Sequence, residues 1–159
     1  MRIRQAKEKE LDQIMEIYEQ AKIFMKEHGN ATQWQDGYPS RELILHEIVQ
    51  GNQYVCEEEG ELAATFSLCK GPDPTYQEIW EGQWLNDDPY KVLHRLASMG
   101  GKGAGEFCLR WSIAQSRELR VDTHEENLPM QRLLKKNGFV TCGKIKVSDG
   151  TERIAFQKL

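Results

Sequence analysis

The stretch from 90 to 117, YKVLHRLASMGGKGAGEFCLRWSIAQSR, constrains this chain more than any other. Val92 to Ala97 is an apolar run that reads as a buried strand. Gly100, Gly101, Gly103 and Gly105 follow, with Lys102 among them, and a helical pattern starts near Ala104. Strand, glycine turn and helix in that order build a seat for an anion. Glycines let the backbone come close, and a helix start points unpaired N–H groups outward.

Three phosphate loops can be weighed against the spacing. The NTPase loop needs a hydroxyl directly after its Lys to hold Mg²⁺, and here Lys102 is followed by Gly103. The dinucleotide fingerprint G-x-G-x-x-G/A ends on Glu106 if started at Gly101 and on Cys108 if started at Gly103, so it fails both ways. A third form, G-x-G/A preceded three residues earlier by Gln or Arg, finds its glycine part in Gly103-Ala104-Gly105.

The elements around this turn are mixed. Met1 to Gln5 could be an edge strand, and residues 8 to 28 read as a long helix with Leu11, Ile14, Met15, Tyr18, Ala21, Phe24 and Met25 on one stripe. A loop with Trp34, Tyr38 and Pro39 either covers a ligand or anchors itself on the core. Ser40 is an N-cap signal for a helix to about Gln50. Residues 53 to 58 and 61 to 69 form a hairpin closed at Glu59-Gly60. Asp73 and Pro74 start a short helical turn carrying Tyr76, Ile79 and Trp80. After the glycine turn and its helix come a strand, LRVDTH, a helix capped by Asn127 and stopped at Asn137-Gly138, and a hairpin turning at Asp149-Gly150. The order predicts an α/β fold with one mixed central sheet flanked by helices, in one domain spanning 1–159.

Composition narrows the partners. Lys plus Arg is 21 against 25 Asp plus Glu, a net charge of −4, which argues against nucleic acid. No apolar run approaches the roughly 18 residues of a membrane span. MRIRQAKEKE lacks the apolar centre of a signal peptide, so a cytoplasmic protein is expected. Cys56, Cys69, Cys108 and Cys142 are widely spaced and read as reduced, buried thiols. HEEN lacks the second His of a zinc helix, and no metal site is expected.

At this point the chain resembles the GNAT superfamily of acyl-CoA N-acyltransferases. The likeness rests on the element order, the strand entering GKGAG, and a block from Asn127 through Leu133 to Gly138-Phe139. It implies a central sheet with a splayed strand pair holding coenzyme A. The backbone of Lys102, Gly103, Ala104 and Gly105 would cradle the pyrophosphate. Leu96, Ala97, Ser98 and Met99 would splay from Leu119 to Asp122 and pair with the pantetheine arm, and Asn127 would touch the same arm or serve only as a cap. The implied reaction is transfer of an acetyl group from acetyl-CoA to a small-molecule or peptide amine by direct attack, with an inactive acyl-CoA-binding module as the alternative. A homodimer is compatible with the fold.

Two departures stand out. Gly100 occupies the place of the family's Gln or Arg, and Leu134 the place of a Tyr that protonates the leaving thiolate. For the base, His124 in VDTHEE is the candidate, against its reading as a solvated loop residue. His94 reads as packed or hydrogen-bonded in the sheet. Trp34, Tyr38, Tyr76, Trp80 and Trp84 would form an aromatic wall on the acceptor side.

Overall fold

A computed structural model describes residues 1–100 and 103–159. Its strands are β1 (Arg2–Gln5), β2 (Gln53–Glu58), β3 (Glu61–Lys70), β4 (Lys91–Ser98), β5 (Leu119–Thr123), β6 (Val140–Lys146) and β7 (Glu152–Lys158). Its helices are α1 (Leu11–Glu27), α2 (Arg41–Val49), α3 (Ala104–Ala114) and α4 (Leu128–Lys136). The strands form one sheet in the order β1-β2-β3-β4-β5-β7-β6. Every pairing is antiparallel except β4 with β5. This is the mixed sheet flanked by helices that the sequence predicts.

Local signals explain the element ends. The Ser40 hydroxyl accepts the Leu43 N–H at 3.1 Å, and the Asn127 side chain accepts the Met130 N–H at 3.2 Å. Each satisfies one of the unpaired donors of a helix start. Asp73 accepts from the Thr75 N–H, but its 3₁₀ turn closes at Tyr76. Trp80 lies beyond that turn and forms an isolated bridge with Lys144.

The strand period of two sorts side chains to the two faces of the sheet. Phe66, Leu68, Leu93 and Phe156 pack with Cys108 and Leu109 of α3 and Leu134 of α4. Val55 and Ala97 meet Ile14, Ile17 and Tyr18 of α1 and Ile44 of α2. Burying each large side chain of this kind stabilises the fold by about 1.5–3 kcal/mol. Phe24, expected on the α1 stripe, is exposed and stacks on His28 instead. All four cysteines are free thiols. Cys69 is only partly buried, and its thiol donates to Glu47 at 3.1 Å.

The α1 face of β3 is polar. Gln53, Thr65 and Ser67 are fully buried and bonded to one another, Thr65 at 2.7 Å and Ser67 at 2.6 Å from the Gln53 amide. No helix among the described residues is long and apolar enough to cross a membrane.

Candidate active site

The site begins with an irregularity in β4. Thr65 faces Ala97 and Ser67 faces His94, so β4 carries one residue more than β3 over the same span. Arg95 takes up the excess with φ +53°. An L-residue in that region is strained by about 1–3 kcal/mol and stays there only when its surroundings fix it. Here they do. The Tyr18 hydroxyl donates to the Arg95 carbonyl at 2.9 Å. The Arg95 guanidinium donates to the Tyr38 hydroxyl at 3.0 Å, Ser67 at 3.1 Å and Glu47 at 3.3 Å.

A bulge bends its strand and increases the local twist, and the consequence is visible next door. β4 and β5 are paired only at Lys91 with Leu119 and Val92 with Arg120. Beyond Val92 the β5-facing edge of β4 has no strand partner. The separation therefore opens at Leu93, earlier than the expected Leu96. A cleft of about 460 Å³ occupies it, with Leu93, His94, Arg95 and Leu96 on one side and Val121, Asp122 and Thr123 on the other.

Of the four residues expected along the cofactor arm, only Leu96 lines this cleft. Ala97 turns into the α1 core. Ser98 lies under the start of α3, where a Cβ on Gly105 would sit 3.6 Å from its hydroxyl. Met99 is half exposed, and its N–H is taken by the Ala63 carbonyl at 2.9 Å. The glycine turn matches expectation where it is described. Gly103 caps α3 at φ +73°, and its missing Cβ faces open space. Among the described residues the first intrahelical bond runs from the Phe107 N–H to the Gly103 carbonyl, and the N–H groups of Ala104, Gly105 and Glu106 have no acceptor. Lys102 lies outside the described residues.

The cleft is roofed by the α1–α2 loop. The Gln33 side-chain oxygen accepts from Asn127 at 3.0 Å, and its carbonyl accepts from Arg153 at 2.8 Å. Asn127 is thus both cap and roof tie, and it lines the cleft. Trp34 and Tyr38 also line it. Trp34 stands edge-on to Tyr18, so it anchors the loop and faces the cleft at once. The rest of the expected aromatic wall is elsewhere. Tyr76 is buried with Trp84, and the Trp84 indole donates to the Tyr76 carbonyl at 2.8 Å.

Two titratable pairs meet at the cleft wall, where His94, Asp73 and Asp122 line it and Tyr76 lies behind. His94 Nε2 lies 2.9 Å from Asp73 Oδ2, and the Tyr76 hydroxyl donates to Asp122 Oδ2 at 2.7 Å. Burial alone would raise the Asp73 pKa, but the hydrogen bonds from His94 and Thr75 outweigh it and pull it down to about 2. Asp73 engages Nε2 of His94, and Nδ1 is the ring nitrogen with no hydrogen-bond partner among the described residues.

His124 is placed differently. It is not among the residues lining the cleft. Its Nδ1 accepts the Glu126 N–H at 3.0 Å, and its Nε2 lies 3.1 Å from the Thr32 hydroxyl. Burial, and then the charge of Arg153, lower its pKa. A neutral ring with both nitrogens engaged has no lone pair left for an amine. Sequence reasoning passed over His94 because its partner, Asp73, lies 21 residues away on a loop.

Comparison with solved structures places the fold. An acetyltransferase of the GNAT family from Streptococcus agalactiae 2603 is 37% identical, with 99% of this chain and 94% of that one covered at a TM-score of 0.91. The chain belongs to the GNAT family. Two more distant structures share the fold alone. One is a GNAT-family acetyltransferase from Listeria monocytogenes 4b F2365, 23% identical over 99% of this chain and 93% of that one, TM-score 0.72. The other is a GNAT-like decarboxylase solved with isobutyryl-CoA, 14% identical over 99% and 98%, TM-score 0.69. No protein-family model and no curated protein matches the sequence. Membership in the GNAT family supports acyl transfer in general as the chemistry of this chain. Within this GNAT protein, Leu134 stands fully buried in the core and offers no proton to the site.

Proposed function

We propose that this protein is an acetyl-CoA-dependent N-acetyltransferase acting on a small amine. The observation that carries the reading is the split between β4 and β5, with the glycine-capped start of α3 following β4 at one end and the His94–Asp73 pair inside it. The residues present fit coenzyme A. Gly103 has no side chain to block an approaching phosphate, the N–H groups of Ala104, Gly105 and Glu106 have no acceptor among the described residues, and the free edge of β4 offers amide groups to a linear amide chain.

Bound acetyl-CoA supplies an activated acetyl carbonyl. The acceptor nitrogen attacks that carbon, the C–N bond forms and the C–S bond breaks. His94 Nδ1 takes the proton that the nitrogen loses, directly or through one water, and Asp73 stabilises the imidazolium that results. Unpaired N–H groups along β4 polarise the carbonyl oxygen. With Leu134 in place of a phenol, the departing thiolate takes its proton from solvent. That is tolerable for a thiol, which ionises near pH 8.5.

Thiol release tests the reading. With acetyl-CoA and a panel of amines, release that depends on the amine is expected, together with a rise in melting temperature on adding acetyl-CoA alone. No shift at millimolar acetyl-CoA sinks it. Leu134 favours a second reading, an acyl-CoA-binding module on the same fold, and binding without turnover across the panel selects it.

A further inference from the structure

The charges lining the cleft are one-sided. Asp36, Asp73, Asp122 and Asp149 face two cations, Arg95 and Arg153. Both guanidiniums are largely occupied, though the buried Nε of Arg95 has no partner among the described residues. Arg95 donates to Tyr38, Ser67 and Glu47. Arg153 donates to the Gln33 carbonyl, the Thr151 hydroxyl and the Glu152 carbonyl at 2.8, 2.8 and 2.9 Å. Asp73 is occupied too, by Thr75 on Oδ1 and His94 on Oδ2, but the other three carboxylates are not filled. Asp122 receives one hydrogen bond, from Tyr76 on Oδ2, and Asp149 receives its two, from Thr151, on Oδ1. Asp36 has no partner among the described residues. Most guanidinium donors at the cleft are taken, whereas Asp36, Asp122 and Asp149 keep free acceptors, so a ligand that brings donors and positive charge fits the cleft.

The free acceptors lie at two depths. Asp122 is half-buried at the strand gap, which His94 also lines. Asp36, on the α1–α2 loop, and Asp149, at the β6–β7 turn, are exposed at the mouth. Trp34 and Tyr38 line the same cleft and suit a cation over an aromatic face. The ties from Gln33 to Asn127 and Arg153 close a roof across it, which admits a slender unbranched chain more readily than a folded surface.

We infer that the acceptor is a linear aliphatic di- or polyamine. One primary amine sits at His94 and Asp122 to be acetylated, and a second cationic nitrogen is held at the mouth by Asp36 and Asp149. This inference rests on the acetyltransferase reading for its chemistry but not for its binding.

The test compares 1,4-diaminobutane and spermidine with butylamine, an α-amino acid and a lysine-containing peptide, by thiol release and by calorimetry in the presence of coenzyme A. The two polyamines are expected to exceed butylamine in kcat/KM by about tenfold or more, the worth of one extra charged hydrogen bond. Asp36→Asn and Asp149→Asn, which suit the left-handed turn and the Asx turn at those sites, should raise KM for the polyamines and bring the ratio toward one. Equal or better use of butylamine, the amino acid or the peptide overturns the inference and leaves the acetyltransferase reading standing. Calorimetric binding of the polyamines without thiol release keeps the polyamine site but overturns the enzyme and, with it, the acceptor role. Absence of both binding and release with polyamines overturns the inference.

Discussion

The Tyr18 hydroxyl donates to the main-chain oxygen of Arg95 at 2.9 Å, across the face of the sheet. The same hydroxyl accepts from the Gln53 amide at 3.1 Å. Burial pushes the phenol up to about 12, so it stays protonated and remains a donor. A helix thereby grips the residue whose backbone opens the strand gap. Tyr18→Phe should lower stability by about 1–2 kcal/mol, the effect of leaving buried polar groups without a partner. It should also raise KM for acetyl-CoA, because the free edge of β4 is then less fixed. Urea melts and donor-saturation curves read the two effects, and a stability loss with unchanged KM would deny the bulge a role in the site.

The Arg95 side chain faces a second constraint. Its partner Glu47 is buried on α2, and the guanidinium is the only cation within reach of it among the described residues. Arg95→Leu should cost about 3 kcal/mol, since removing one member strands the other charge. Adding Glu47→Leu should restore part of that loss. A double variant no more stable than Arg95→Leu would show that the stranded carboxylate is not the cause.

His94→Gln should lower kcat by about 10²-fold or more, the usual worth of a positioned base. KM for acetyl-CoA should barely change, because the substitution leaves the backbone amides of β4 and the start of α3 in place. Asp73→Asn should give a smaller fall in kcat, as Asn still accepts from Nε2 but does not stabilise an imidazolium. A His124→Gln variant that loses more activity than His94→Gln would reverse the assignment.

Gly103 permits a clean test of the anion seat. Its left-handed backbone tolerates Asn better than most residues, and a Cβ there meets no atom within 4 Å. Gly103→Asn should keep the fold and much of the acetyl-CoA affinity. Gly103→Glu adds about 1 kcal/mol of backbone strain and sets a carboxylate at the proposed phosphate seat, so binding should be lost. Calorimetry on both variants decides. Equal affinity for acetyl-CoA would move the phosphate seat away from α3.

The glycine turn, the caps at Ser40 and Asn127 and the Asp149-Gly150 hairpin were legible because each depends on a few adjacent residues of special backbone or side-chain type. The bulge was not. An Arg at positive φ has no local signature, and here it is held by Tyr18, Glu47, Ser67 and Tyr38 from distant segments. The pairing of His94 with Asp73 depends on how the β3–β4 connection folds back. The roof tie joins Gln33 to Arg153 across 120 residues. His124 drew attention because a histidine between acidic residues looks reactive, and nothing nearby in sequence shows that Thr32 and the Glu126 amide engage its ring.

Stability should fall with acid in two separate windows. His124 has its pKa lowered by burial and by Arg153, below the 6.5 of a free histidine. Between that value and its lower folded value the unfolded chain binds a proton that the folded chain does not, so stability is lost as pH falls from about 6.5. Asp73 is lowered from 3.8 to about 2. Its contribution, about 2 kcal/mol, is complete above the unfolded value and disappears as pH falls through the folded one. Glu10, lowered by Arg4, and Asp149, lowered by Thr151, act in the same direction in that lower window. Urea unfolding at pH steps from 8 to 2 measures both. His124→Gln should flatten the upper window and leave the lower one, and Asp73→Asn should shrink the lower one. A parent curve level from pH 7 to 5 would show that the fold does not hold His124 neutral.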